Sequence, residues 1–94
     1  MVTELATITV AEGNEAAFAA AMDETGAPAL RACVGVQSLR YGPGVESPTQ
    51  FGFVVEWESV EAHNAVRDTD AYKRFRQAIG PYTIGGTLEH FALG

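Results

Sequence analysis

Two histidines are the side chains of this sequence best suited to proton transfer near neutral pH. His63 lies in the stretch VEAHNAVR and His90 in the stretch TLEHFAL. The ordinary pKa of imidazole is close to neutrality, so a histidine beside a pocket can remove a proton from a bound molecule. We therefore take His63 as the candidate catalytic base. The alternative is a half-exposed helix residue that bonds to water or to a carboxylate such as Glu61 or Glu89.

Four further side chains are candidates for contact with a substrate: Trp57, Arg67, Tyr72 and His90. Trp57 offers an aromatic wall, and Tyr72 offers a hydroxyl that orients an aromatic ring. Arg67 offers a cation for an acidic group, and His90 points either into a pocket or into an interface between subunits. Each has a simpler interpretation as well: core packing for the aromatic residues, a hydrogen-bonded core or interface position for His90, and a solvated surface position for Arg67.

The composition argues against several other kinds of site. The single cysteine, Cys33, cannot form an intramolecular disulfide, and the two histidines lack a third ligand at a metal-binding spacing. We therefore expect no metal and no cofactor. The net charge of −6 repels phosphate backbones, so we expect no nucleic-acid partner. No apolar run approaches the roughly 20 residues that span a bilayer, so we expect no membrane association and a cytoplasmic location.

Hydrophobic periodicity predicts the elements that position these residues. Alternation predicts strands at residues 2–10, 33–41, 51–57 and 87–93. Helical spacing predicts a helix over 14–24, ended or kinked near Gly26 and Pro28, with one more turn possible in ALRA. Two shorter helices are predicted over 60–67 and 71–79, capped by Ser59 and by Thr69 or Asp70. The spacing of Val60, His63 and Arg67 places all three on one face of the first of these helices. Alternation along the third strand places four residues on the face toward the helices: Phe51, Phe53, Val55 and Trp57.

The order of these elements predicts the fold class. The sequence β-α-β-β-α-β is that of the ferredoxin-like motif, an α+β fold with an antiparallel four-stranded sheet and its helices on one face. At 94 residues we expect one domain over 1–94. The other sheet face carries small, mixed and lightly charged side chains, which favours a homodimer that pairs through its sheet faces.

The segment VVEWESVEAHNAVRDTDAYKRFRQAIGPY also resembles a known family. A strand that ends in Trp, then Glu-Ser, a short helix with Ala-His, and a Tyr/Phe-bearing helix that ends before Pro is similar to the antibiotic biosynthesis monooxygenase-like family of the dimeric α/β barrel superfamily. This resemblance implies a dimeric α/β barrel with a pocket between sheet and helices. It implies a cofactor-independent monooxygenase that acts on a small aromatic or polyketide-like substrate.

The same resemblance leaves other functions open. Relatives with this fold include polyketide cyclases, and a non-catalytic dimeric ligand-binding or stress-related protein would have the same pocket without a productive base. A structural dimer whose cleft is filled by its own side chains is a further alternative. Haem-degrading relatives hold haem through a histidine in the second helix, where this chain reads KRFRQ, so the resemblance does not extend to haem.

Overall fold

Four antiparallel strands form one sheet, and the helices pack on one of its faces. The computed structural model describes residues 1–94. Strands β1 (Val2–Val10), β2 (Val36–Pro43), β3 (Gln50–Trp57) and β4 (Thr83–Phe91) lie in the spatial order β2-β3-β1-β4. The ferredoxin-like β-α-β-β-α-β arrangement predicted from the sequence is confirmed.

The first helical region is longer than predicted. Helix α1 (Glu15–Ala21) continues through a π-helical turn (Met22–Gly26) into α2 (Ala27–Arg31). Gly26 and Pro28 therefore do not end the helix. Pro28 lies in the first turn of α2, where its missing N–H costs least, and a side chain at position 26 would place its Cβ 2.8 Å from the sulfur of Met22. The wider π-helical turn accommodates both residues without leaving the helix.

The two later helices begin at the predicted caps. The hydroxyl of Ser59 accepts a hydrogen bond from the backbone N–H of Ala62 at the start of α3 (Val60–Val66). The hydroxyl of Thr69 does the same for the N–H of Tyr72 at the start of α4 (Asp70–Ile79), and a 3₁₀ turn at Gly80–Tyr82 leads into β4. These caps satisfy N–H groups that the first helical turn leaves without partners. No helix is long and apolar enough to cross a membrane.

Two strands begin well away from their predicted starts. β2 begins at Val36 rather than at Cys33, because Gly35 adopts φ = +95° and turns the chain before the strand starts. β4 begins at Thr83, four residues before the predicted start, and so includes Gly85 and Gly86. Glycine has low strand propensity, but both glycines pair with β1. A Cβ at Gly86 would lie 2.7 Å from the carbonyl oxygen of Thr7, so only glycine fits this close approach of the two strands.

The helix-facing side of the sheet forms the core. Alternate residues of β3 are buried as predicted, namely Phe51, Phe53, Val55 and Trp57. They pack against Phe18 and Met22 of the first helical region and against Phe75 of α4. No helix packs on the opposite side of the sheet, and Leu5 and Phe91 are exposed there. One sheet face therefore positions the buried side chains described next, and the other remains open.

Candidate active site

Three strands and two helices bring five polar and aromatic side chains together. We call Glu4, Trp57, His63, Tyr72 and His90 the polar cluster. The sheet register pairs Glu4 with His90, so both side chains project toward the helices from neighbouring strands. Helix α3 lays the His63 ring parallel to Trp57, with ring centroids 4.2 Å apart and an interplanar angle of 9°.

Hydrogen bonds join the polar cluster into two sets, and a close contact between His63 and Glu4 links them. The indole N–H of Trp57 donates to Oε1 of Glu4 at 2.8 Å. Nδ1 of His63 lies 2.7 Å from Nε2 of His90 and 3.6 Å from Oε1 of Glu4. Nε2 of His63 lies 3.4 Å from the hydroxyl oxygen of Tyr72. No buried polar side-chain atom of the chain lacks a partner, so the polar cluster is satisfied in spite of its burial.

Glu4 is the member that the sequence analysis missed. It lies among Val2, Ala6, Ile8 and Val10 on the inward side of β1, and it is only 7% exposed. A carboxylate at a core-facing strand position was the available signal, because aspartate and glutamate are seldom buried unless paired. The pairing with Trp57 and the nearby histidines explains how the fold tolerates it.

Burial and charge shift the pKa values of the polar cluster. Burial raises the pKa of Glu4, and the Trp57 hydrogen bond and the charges of His90 and Arg67 only partly oppose this shift. Burial and the charges of Arg67 and His90 lower the pKa of His63 to about 4. Burial, together with the negative charge of Glu4, raises the pKa of Tyr72. At neutral pH His63 is therefore a neutral imidazole.

The contribution of His63 to the stability of the protein should fall when the pH is lowered from 6.5 to about 4. Over this interval the unfolded chain, in which the pKa of His63 has its ordinary value of 6.5, binds a proton that the folded chain excludes. The contribution of neutral His63 is fully present above pH 6.5 and is lost as the pH falls to the folded-state value. At 1.36 kcal/mol per pKa unit, the loss from this residue is about 3 kcal/mol.

Urea unfolding followed by Trp57 fluorescence at fixed protein concentration measures this pH dependence. Glu4 acts in the opposite direction, because its raised pKa lets the folded chain bind a proton before the unfolded chain does. The other groups that face His63 are all retained in a His63→Gln variant, namely His90, Tyr72 and Arg67. Between pH 7 and pH 4, the free energy of unfolding of the variant should fall by about 3 kcal/mol less than that of the wild type. Parallel pH profiles of the two proteins would contradict the assignment.

A pocket of about 510 Å³ lies between the sheet and helices α2 and α4. Ten of its eighteen lining residues are hydrophobic, and they include Leu30, Phe53, Val55 and Phe75. Its volume lies within the range of small-molecule sites, roughly 300–1,000 Å³. The ionisable side chains that line it are Glu4, Tyr72 and Arg76. The pocket therefore combines apolar walls with one carboxylate, one phenol and one guanidinium.

The structure brings most, but not all, of the predicted site residues together. Trp57 and Tyr72 line the pocket, while His63 and His90 lie behind Glu4 and do not line it. His63 is 1% exposed, so the alternative of a half-exposed helix residue bonded to water, Glu61 or Glu89 is wrong. His90 faces the helices rather than the open sheet face.

Arg67 is the predicted site residue that belongs neither to the pocket lining nor to the polar cluster. Val60, His63 and Arg67 were expected on one helix face, but the buried residues of α3 are His63 and Val66, and Arg67 at the end of the helix is exposed. Arg67 reaches the polar cluster only through its charge. The arginine that lines the pocket is Arg76, one helical turn beyond Tyr72 on α4.

Comparison with known protein families identifies the family of this chain. Residues 1–78 match the sequence profile of the family "antibiotic biosynthesis monooxygenase". The chain belongs to this family. The matched residues include β1, β3, α3 and most of α4, and so contain four members of the polar cluster. His90 lies on β4, beyond the matched part.

Solved structures of the family share the fold of this chain. A candidate antibiotic biosynthesis monooxygenase from Bordetella bronchiseptica is 24% identical, with a TM-score of 0.90 over 99% of this chain and 96% of that one. A second candidate, from Caulobacter crescentus, is 19% identical, with a TM-score of 0.81 over 99% and 90%. A third antibiotic biosynthesis monooxygenase is 16% identical, with a TM-score of 0.83 over 100% and 99%. No curated protein matches the chain. At these identities the family members establish the fold, and the chemistry has to be argued from the pocket.

Proposed function

We propose that this protein is a cofactor-independent monooxygenase that oxidises a small reduced aromatic or polyketide-like molecule with dioxygen. The observation that carries the proposal is the placement of one buried carboxylate, Glu4, in the wall of a mostly apolar pocket. Membership of the antibiotic biosynthesis monooxygenase family supports the same class of reaction. An apolar pocket of this volume fits two or three fused rings.

Glu4 is the proposed base. It is the only carboxylate that lines the pocket, and the other two ionisable groups there are poor bases, because the raised pKa of Tyr72 keeps its phenol protonated and a guanidinium does not give up its proton. Trp57 fixes one oxygen of the carboxylate at 2.8 Å, so the carboxylate is held in place before the substrate binds. His63 as the base stays a prediction. Its place behind Glu4 favours the role of a positioning residue that acts through the carboxylate.

The reaction needs no reductant other than the substrate. Glu4 removes a proton from a methylene group next to the aromatic system, and the resulting carbanion transfers one electron to dioxygen. The substrate radical and superoxide combine into a peroxide, which loses water and leaves a ketone. The methylene group gives up four electrons and dioxygen accepts four, so that R₂CH₂ and O₂ become R₂C=O and H₂O. Arg76 at the pocket wall stabilises the negative charge that develops on the substrate.

An oxygen-uptake screen tests the proposal. The purified full chain is mixed with anthrones, dihydroxynaphthoquinols and related reduced aromatics, with a chelator and without any cofactor. We expect catalysed oxygen uptake with at least one class, and for an anthrone one O₂ consumed per ketone formed, above the rate of spontaneous oxidation. Uptake equal to that of a protein-free control across the panel would refute it, and tight binding without uptake would instead support a non-catalytic ligand-binding protein.

We also propose that residues 1–94 form one domain that pairs with a second copy through the open sheet face. Leu5 on the central strand β1 and Phe91 at the end of the edge strand β4 are 41% and 37% exposed on that face, which leaves apolar surface there for a partner. Light scattering should give twice the chain mass of 10.0 kDa, and the mass of one chain would contradict the dimer. The cytoplasmic location expected from the sequence stays a prediction.

A further inference from the structure

We propose that Glu4, His63 and His90 form a binding site for one divalent transition metal ion, with Zn²⁺ as the best match. One ligand atom from each residue lies within 4.8 Å of the other two. The sequence analysis expected no metal because it found no third ligand at a suitable spacing. Glu4, on a strand far from both histidines in the sequence, is that third ligand. The inference goes beyond the proposed oxidation and does not rest on it.

The donor set matches the chemistry of a borderline divalent metal. Two imidazole nitrogens and one carboxylate oxygen are the protein ligands of His₂Glu zinc enzymes, which leave one coordination position open. The same set with more open positions binds ferrous iron. The carboxylate of Glu4 also supplies negative charge that offsets part of the charge of a divalent cation.

The distances are close to those that a metal ion requires. Bonds of about 2.0–2.2 Å in a tetrahedral arrangement hold ligand atoms roughly 3.4 Å apart. Nδ1 of His63 now lies 2.7 Å from Nε2 of His90 and 3.6 Å from Oε1 of Glu4. Metal binding therefore requires the two histidine nitrogens to separate by less than about 1 Å, which small side-chain rotations provide.

Outer partners already orient two of the three ligands. Oε1 of Glu4 accepts the Trp57 hydrogen bond, and Nε2 of His63 lies 3.4 Å from the hydroxyl oxygen of Tyr72. Metal-binding histidines usually donate their second ring N–H to such a partner. Metal binding through Nδ1 requires the proton of neutral His63 on Nε2, where the hydroxyl oxygen of Tyr72 can accept it.

The surroundings allow a metal ion to enter. His63 and Glu4 are 1% and 7% exposed, but His90 is half-buried on β4, which is an edge strand of the sheet. An ion can therefore reach His90 first and then the two inner ligands. The chain contains no other histidine, so strong binding by imidazole has only this location, and its one cysteine is buried and does not belong to the group of neighbouring ligand atoms.

Metal titration of the full chain, purified and free of any histidine tag, tests the site. Co²⁺ is added as the spectroscopic probe and is then displaced by Zn²⁺, with the affinity of Zn²⁺ measured by calorimetry. We expect one ion per chain and the intense visible bands of a low-coordinate Co²⁺ site. Loss of an outer partner of a metal ligand lowers metal affinity by about 10–100-fold. Because His90→Ala and Glu4→Gln remove direct ligands, each should lower the affinity for Zn²⁺ by at least about 100-fold.

Glu89→Gln is the matched control, since it removes the same charge from the neighbouring residue of β4, whose side chain is exposed on the opposite side of the sheet. It should bind Zn²⁺ as the wild type does. Nitrogen NMR of the histidine rings should show Zn²⁺ on Nδ1 of His63 and Nε2 of His90. Equal affinities in the wild type, His90→Ala and Glu4→Gln, or no binding at millimolar Zn²⁺, would overturn the site. Because this readout is binding alone, its failure would leave the oxidation proposal untouched.

Discussion

Replacing Glu4 with glutamine should lower kcat for oxygen-dependent turnover at least about 100-fold, the usual size of a general-base contribution. Glutamine has the shape of glutamate, and its carbonyl oxygen can still accept the Trp57 hydrogen bond. The pocket volume is therefore unchanged, and only the ability to take up a proton is lost. Substrate binding should change much less than kcat, which separates a catalytic role from a packing role.

Two further variants make this result decisive. Glu89→Gln removes the same charge from an exposed position and should keep the wild-type rate. His63→Gln removes the imidazole behind the carboxylate, and its loss should be smaller than that of Glu4→Gln if His63 only positions the carboxylate. A fully active Glu4→Gln variant together with an inactive His63→Gln variant would reverse the assignment and make His63 the base. Initial rates from an oxygen electrode at saturating substrate are sufficient for the comparison.

Replacing Trp57 with alanine should cost about 3–5 kcal/mol of unfolding free energy, a large part of the roughly 5–15 kcal/mol that a small domain has. The indole is fully buried, stacks on His63 and donates to Glu4. The truncation therefore leaves a cavity and also removes the hydrogen bond that compensates a buried carboxylate. Far-UV circular dichroism in urea measures the change, because the substitution removes the only tryptophan of the chain.

Trp57→Phe separates the two causes. Phenylalanine keeps most of the buried ring but has no N–H. The substitution should therefore lower the free energy of unfolding by about 1–3 kcal/mol, mainly because the carboxylate of Glu4 loses its hydrogen bond. Val45→Ala, at a position that is 92% exposed, should lie within about 0.5 kcal/mol of the wild type. All proteins are compared at one concentration, because dimerisation stabilises the folded state. A cost below about 1 kcal/mol for Trp57→Ala would contradict the central packing role of the indole.

The local parts of the fold were predictable because their causes are local. Ser59 and Thr69 cap their helices as expected, since a cap needs only a hydroxyl three residues before an N–H. The alternation of β3 correctly placed Phe51, Phe53, Val55 and Trp57 toward the helices. The continuation of the helix through Gly26 was not predictable, because it depends on the packing of Met22 against that glycine.

The candidate site also has features that the sequence predicts and features that only the fold decides. Residue type alone identified Trp57, His63, Tyr72 and His90, because few other side chains of this sequence combine an aromatic ring with a polar atom. Their meeting with Glu4 depends on sheet register: 53 residues separate Glu4 from Trp57, and only the pairing of β1 with β3 and β4 brings the carboxylate to both the indole and His90. Helical periodicity likewise placed Arg67 near His63, but the packing of Val66 turned that arginine to the surface. Side-chain chemistry and local periodicity are properties of the sequence, whereas the contacts that form the pocket, the proposed base and the proposed metal site arise between segments that only the folded sheet makes neighbours.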